Sequence, residues 1–243
     1  MGYIVSYKQY GARAILLEWP SLIDENVLTD VLQFKEKIKS YYIKSVVEIN
    51  HAYNSILINY EFFNFEFNDE VKVLKTIYSS VDSRTNTTPK LWKIPVCYDD
   101  TFSIDLVEIS EAKGMSPKEL IQRHTQAIYT VYFIGFLPGF LYLGGLDETL
   151  YMPRRFTPRL QVSKGAVAIG GKQTGVYPIE SPGGWHIIGN SPINFFDVSR
   201  VEPCFAKAGD KIQFYSIDLK TYKGIKTLAE AKVYQLESEV IDD

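Results

Sequence analysis

Eleven of the chain's 16 glycines and six of its 11 prolines lie between Gly135 and Pro192. Glycine serves where backbone turns tightly or approaches a neighbour closely, and proline fixes φ and removes a donor. The same stretch carries Arg154, Arg155, Arg159, Gln173, Tyr177, Ser181 and Trp185. A flexible linker would not hold so many aromatic and charged groups. The pattern predicts short strands joined by stiff, shaped loops, with function on those loops.

Length and composition set the frame. A chain of 243 residues holds one large domain or two modest ones. Its 17 tyrosines and 14 phenylalanines favour strands. The net charge is −3 and no long basic run occurs, which excludes nucleic acid as a partner class. Cys97 and Cys204 show no metal or redox spacing and read as small core residues. The N-terminus lacks a basic patch followed by an apolar segment. The run Ala14–Leu17 is too short to span a bilayer. The expected location is the cytoplasm, with no membrane partner. Asn86-Thr87-Thr88 matches a glycosylation acceptor, which means nothing without a secretion signal.

Periodicity divides the chain. Two apolar runs, Tyr3–Tyr7 and Ala12–Trp19, precede a helix from about Asp24, with Leu28, Val31, Leu32 and Ile38 on one face. Strands are predicted at Ser45–Ile49 and Ser55–Tyr60, and a second helix at 69–81. Strand–helix–strand–strand–helix–strand is the ferredoxin-like order. The polar stretch Asp82–Lys90 reads as a linker, which sets the domains at 1–88 and 89–243. Beyond it, strands are predicted at Leu91–Tyr98 and Ile128–Phe136. Others follow at Ala166–Ile169, Gly175–Pro178, His186–Ile188 and Lys211–Ile217. Helices are predicted at Asp105–Lys113, closed by Gly114, and from the capping box Ser116-Pro117-Lys118-Glu119. Many short strands with Gly/Pro turns suggest a small β-barrel. The tail Thr227–Val240 has helical composition. The fold class is α+β and β-rich.

Standard catalytic signatures are absent. Gly170-Gly171-Lys172-Gln173-Thr174 fails as a phosphate loop, because Ala166 and Gln173 stand at required positions, and it reads as a glycine turn. Arg154, Arg155 and Arg159 form either a solvated loop or an anion clamp, since guanidiniums bind carboxylate or phosphate bidentately. Flanking Pro153 and Pro158 favour a pre-ordered clamp. Gly183 and Gly184 can expose consecutive N–H groups as a nest, with Ser181 before them and Trp185 as an apolar wall. Gln173 and Tyr177 lie on the preceding turn, Tyr177 otherwise packing in the barrel. Phe136–Leu143 is core, or in part a sticky face for a partner. His124 is either a structural histidine or an acid/base group.

Taken together, several strings resemble one family. They are Gly135-Phe136-Leu137-Pro138-Gly139-Phe140, Pro153-Arg154-Arg155, Pro158-Arg159, Gly171–Pro178 and Ser181-Pro182-Gly183-Gly184-Trp185. The family is that of the 5-oxoprolinase B subunit, also called KipI or allophanate hydrolase subunit 1. The resemblance implies a ferredoxin-like domain followed by a cyclophilin-like β-barrel. It implies a role in ATP-dependent opening of 5-oxo-L-proline to L-glutamate, together with two partners of the same 5-oxoprolinase, one LamB/YcsF-like and one KipA-like. ATP would then be bound at or with a partner subunit. On this reading Arg154, Arg155 and Arg159 bind the small carboxylate substrate, and Gln173 and Tyr177 orient its amide. Ser181, Gly183, Gly184 and Trp185 wall the pocket. The catalytic residue is left unassigned, His124 being a candidate on its residue type alone. Two other family roles are inhibition of a sporulation-type histidine kinase, and the carboxyltransferase half of a urea carboxylase-type enzyme. The chain departs from the family pattern at Ser163-Lys164, Asp99-Asp100 and Asn190.

Overall fold

A computed structural model describes residues 3–41, 46–61, 66–80 and 88–241. The chain falls into two compact units, Met1–Thr87 and Thr88–Asp243.

In the first unit, strands β1 (Ser6–Tyr10) and β2 (Ala14–Glu18) form a hairpin, followed by helix α1 (Glu25–Tyr41). Asp24 starts α1 by accepting the Asn26 N–H at 2.8 Å. Strands β3 (Val46–His51) and β4 (Ser55–Tyr60) form a second hairpin before helix α2 (Phe67–Ser79). The sheet order is β1-β2-β4-β3, antiparallel throughout. Strand β4 shows the expected period of two, burying Ile56, Ile58 and Tyr60. They meet Val27, Val31, Phe34 and Ile38 of α1 and Leu74 and Ile77 of α2 in one core. The split strand–helix–strand core of the ferredoxin-like plan is present, with β4 between β2 and β3. Its outer strand differs in origin. Among the described residues no strand follows α2, and β1 fills that edge instead. Residues 82–87 of the predicted linker, Val81 of the predicted helix, and Asn86-Thr87 of the glycosylation pattern lie outside the described residues.

The second unit is built around a closed barrel. Its strands are β5 (Lys90–Cys97), β6 (Ile128–Ile134), β7 (Leu141–Gly144), β8 (Arg159–Val162), β9 (Ala166–Gly170) and β10 (Gln173–Val176). Then come β11 (Ser181–Gly183), β12 (His186–Asn190), β13 (Lys211–Ile217) and β14 (Ser238–Val240). Helices α3 (Leu106–Lys113) and α4 (Pro117–Gln126) follow β5, and α5 (Leu219–Glu230) follows β13. The order β12-β9-β10-β7-β6-β13-β5 closes through a β12–β5 pairing at Asn190 and Cys97. Closure needs Gly189, since a Cβ there would lie 2.8 Å from the Cys97 carbonyl oxygen. Strands β8 and β11 form a separate two-stranded ladder.

Local signals placed α3 and α4. Gly114 caps α3 at φ 63°, and Ser116 accepts the Glu119 N–H at 3.2 Å to start α4. The glycine turn between β9 and β10 also stands, with Gly170 opposite Gln173. The tail differs from expectation. Its helix starts earlier, at Leu219 behind an Asp218 cap, and Lys232 lies beyond its end at φ 59°. Residues Ser238–Val240 are not helical but pair with β5 as β14.

His124 of α4 lies in the barrel core, fully buried and stacked on Phe214 at 4.8 Å. Thr174 Oγ1 donates to the Ala168 carbonyl at 3.0 Å, so it accepts from His124 Nε2 at 2.8 Å. Nδ1 then accepts from the Tyr98 hydroxyl at 2.8 Å. Burial pushes the imidazole pKa down to about 3. The ring is neutral in the fold, while the unfolded chain takes up a proton below its ordinary value of 6.5. This contribution is therefore intact above pH 6.5 and is lost as pH falls toward 3. Between pH 6.5 and 4.5 the loss is about 2–3 kcal/mol. Urea unfolding of the wild type and of His124→Gln across this range is expected to show that excess slope in the wild type alone. Parallel curves would contradict it.

Candidate functional site

The candidate site lies where α3 begins. Asp105, only 2% exposed, precedes that helix. Its backbone N–H donates to the Ile187 carbonyl at 2.9 Å, and its Oδ2 accepts the Ile187 N–H at 2.7 Å. These bonds tie α3 to β12 where the β12–β9 ladder shifts register between Ile187 and Gly189. The carboxylate also receives two arginines. Arg159 forks onto it, Nη2 to Oδ1 at 2.6 Å and Nη1 to Oδ2 at 2.9 Å. Arg155 Nη1 reaches Asp105 Oδ1 at 3.3 Å and Glu108 Oε2 at 3.4 Å. The Arg155 N–H also donates to the Gly184 carbonyl at 2.8 Å. One buried carboxylate thus gathers α3, β12, the loop before β8 and β8 itself.

Trp185 lies beside this clamp, buried in a satellite core with Phe140, Val162, Ala168, Tyr177 and Ile187. Its ring meets Phe140 edge-on at 5.6 Å. Exposed Arg154 places its Cζ 5.7 Å from the Trp185 ring centroid. Among the described residues, no carboxylate is paired with Arg154. His186, next in the chain and also buried, has Nε2 3.0 Å from the Pro153 carbonyl.

The structure brings the three arginines together but divides their tasks. Arg155 and Arg159 hold the chain's own carboxylates, and Arg154 alone presents an exposed guanidinium. Gly183 and Gly184 do not form the expected nest, because neither has the positive φ that the motif requires. Gly183 serves close packing instead, since a Cβ would lie 2.3 Å from the Tyr177 hydroxyl oxygen. Tyr177 is 2% exposed, and burial pushes its pKa up. Its hydroxyl oxygen packs against Gly183. The Ser181 hydroxyl donates to the Pro182 carbonyl at 3.2 Å. Gln173 opens β10, half-buried. His124 lies in the barrel core with both ring nitrogens bonded, which suits a structural role and not proton transfer to a substrate. Phe136–Leu143 is largely core: Phe140, Leu141 and Leu143 are buried, while Phe136 and Pro138 are exposed.

Sequence reasoning missed Asp105, Glu108 and His186. Asp105 read as a helix start and His186 as a strand residue, and nothing local joins them to residues some fifty positions away. Their ligand-type atoms lie within 4.8 Å of one another. The Arg155 guanidinium already sits against both carboxylates and supplies the positive charge that a metal ion would bring.

Residues 5–206 match the family described as Carboxyltransferase domain, subdomain C and D. The chain is 31% identical to the B subunit of 5-oxoprolinase from Bacillus subtilis, over 90% of this chain and 95% of that protein. This chain belongs to the 5-oxoprolinase B-subunit family. The Escherichia coli O157:H7 protein of the same name is 46% identical over 50% of this chain and 56% of its own length. The fold also matches the crystal structure of the Kluyveromyces lactis urea amidolyase, with TM-score 0.81 and 20% identity. That match covers 97% of this chain and 16% of the larger protein, and the likeness is one of fold. No helix among the described residues is long and apolar enough to cross a membrane.

Removing Asp105 strands two guanidiniums and the Ile187 N–H. Breaking a buried ion pair from one side costs about 3–5 kcal/mol. Asp105→Ala is expected to lose that much in urea unfolding, and a loss below about 1 kcal/mol would show that the clamp does not support the fold.

Proposed function

We propose that this chain is the B subunit of an ATP-dependent 5-oxoprolinase, acting with LamB/YcsF-like and KipA-like partners to open 5-oxo-L-proline to L-glutamate. The family relation supports this reading. The observation in the site that carries it is Arg154, a guanidinium without a carboxylate partner among the described residues, poised over Trp185 on a loop fixed by the Asp105 clamp. A small lactam carboxylate needs a cation for its charge and an apolar wall for its ring. Arg154 supplies the first and Trp185 the second, with Gln173 on the neighbouring hairpin to orient the amide. Arg155 and Arg159 act one step back, holding the loop so that little entropy is lost on binding. Opening the lactam is uphill without phosphorylation of its amide oxygen. The sequence carries no phosphate loop, so ATP is assigned to a partner or to the shared interface.

The isolated chain is expected to release no glutamate from 5-oxoproline and ATP. Adding the LamB/YcsF-like and KipA-like partners is expected to give 5-oxoproline-dependent ATP hydrolysis coupled to glutamate release. Arg154→Ala should raise KM for 5-oxoproline at least about tenfold, the value of one charge-assisted bond. Turnover by the chain alone, or an unchanged KM in the variant, would contradict these assignments.

A further inference from the structure

One carboxylate of the cluster is held by the clamp through a single oxygen. Asp105 accepts on both oxygens from guanidinium or backbone donors. Glu108, in the first turn of α3, is 55% exposed. Its Oε2 lies 3.4 Å from Arg155 Nη1, and its Oε1 lies 3.9 Å from His186 Nδ1. The proton on that imidazole is placed by its other side. The Pro153 carbonyl, 3.0 Å from Nε2, can only accept, so Nε2 carries the hydrogen. Nδ1 is buried and without a hydrogen-bond partner, on a residue 4% exposed. It faces the Glu108 carboxylate across 3.9 Å, and a small rotation of exposed Glu108 lets the two groups share a proton.

We propose that Glu108, backed by His186, is the proton acceptor of this site and takes a proton from the water that opens the lactam. This rests on the 5-oxoprolinase reading. The water oxygen bonds to the ring carbon whose oxygen has been phosphorylated from ATP, and one water proton passes to Glu108. The ring C–N bond then breaks. The nitrogen receives both of that water's hydrogens, the first by way of Glu108, and becomes the free amine. The carbon is left as an acyl phosphate, which a second water converts to carboxylate and inorganic phosphate. Glu108 has the exposure to touch the reacting water. His186 is a positioning residue that shares the proton from behind. The charged and titratable groups facing Glu108 are Asp105 at the start of its own helix, Arg155 from the loop before β8, and His186 from β12.

The test uses the complex of this chain with its LamB/YcsF-like and KipA-like partners, supplied with ATP and 5-oxoproline. Glu108→Gln is expected to lower kcat about 100-fold or more, with KM changed less than about threefold and complex assembly intact. Glu108→Asp should recover part of kcat. His186→Gln should displace the acid limb of the kcat–pH profile, a shift that a purely structural role would not produce. A Glu108→Gln complex with kcat within about threefold of wild type overturns this inference and leaves the 5-oxoprolinase reading standing. A wild-type complex that releases no glutamate removes both.

Discussion

The bidentate bond between Asp105 and Arg159 is the contact on which the site's geometry depends. Its two oxygen–nitrogen distances, 2.6 and 2.9 Å, belong to a carboxylate that is 2% exposed. A charge that deep is tolerated only when it is paired and its remaining lone pairs are filled. Arg155 and the Ile187 N–H fill them. These four donors come from two segments, residues 155–159 and β12, both far in sequence from Asp105. Satisfying one buried charge therefore fixes the relative placement of α3, β12 and the arginine loop.

The barrel beneath gives that clamp a rigid floor. Strands β9 and β12 are buried along their whole lengths, one face in the main core and the other under Trp185, Tyr177 and Phe140. Aromatic rings packed edge to face resist sliding. Arg154 and Glu108 project from this floor, one beside the indole and the other beside the buried imidazole. On the proposed reading, Arg154 binds the substrate carboxylate and Glu108 takes the proton of the attacking water.

Much of the scaffold was legible because its causes are local. The helical spacing of Leu28, Val31, Leu32 and Ile38, the Ser116 box and Gly114 each act within a few residues, and the elements formed there. Strands β4 and β13 carried enough alternation or β-branching to be bounded correctly. The tail was misread because composition was weighed without its cap: Asp218, directly after β13, starts the helix. Strands β8 and β11 escaped because three or four residues are too few to carry a period. The site was legible as a region, through its prolines, glycines and arginines, but not as a mechanism. Whether an arginine binds a ligand or its own chain depends on a carboxylate about fifty residues away, and no spacing rule reports that. The glycine pair shows the same limit: Gly183 is there for lack of space beside Tyr177, not for φ.

The most direct measurement is a double-mutant cycle on Asp105 and Arg159, followed by urea unfolding. Contacting residues in a shared network show coupling energies of about 0.5–3 kcal/mol. A short, buried, bidentate pair belongs at the top of that range, so a coupling of about 2–3 kcal/mol is expected. Additive losses, with a coupling near zero, would mean that this ion pair does not organise the site.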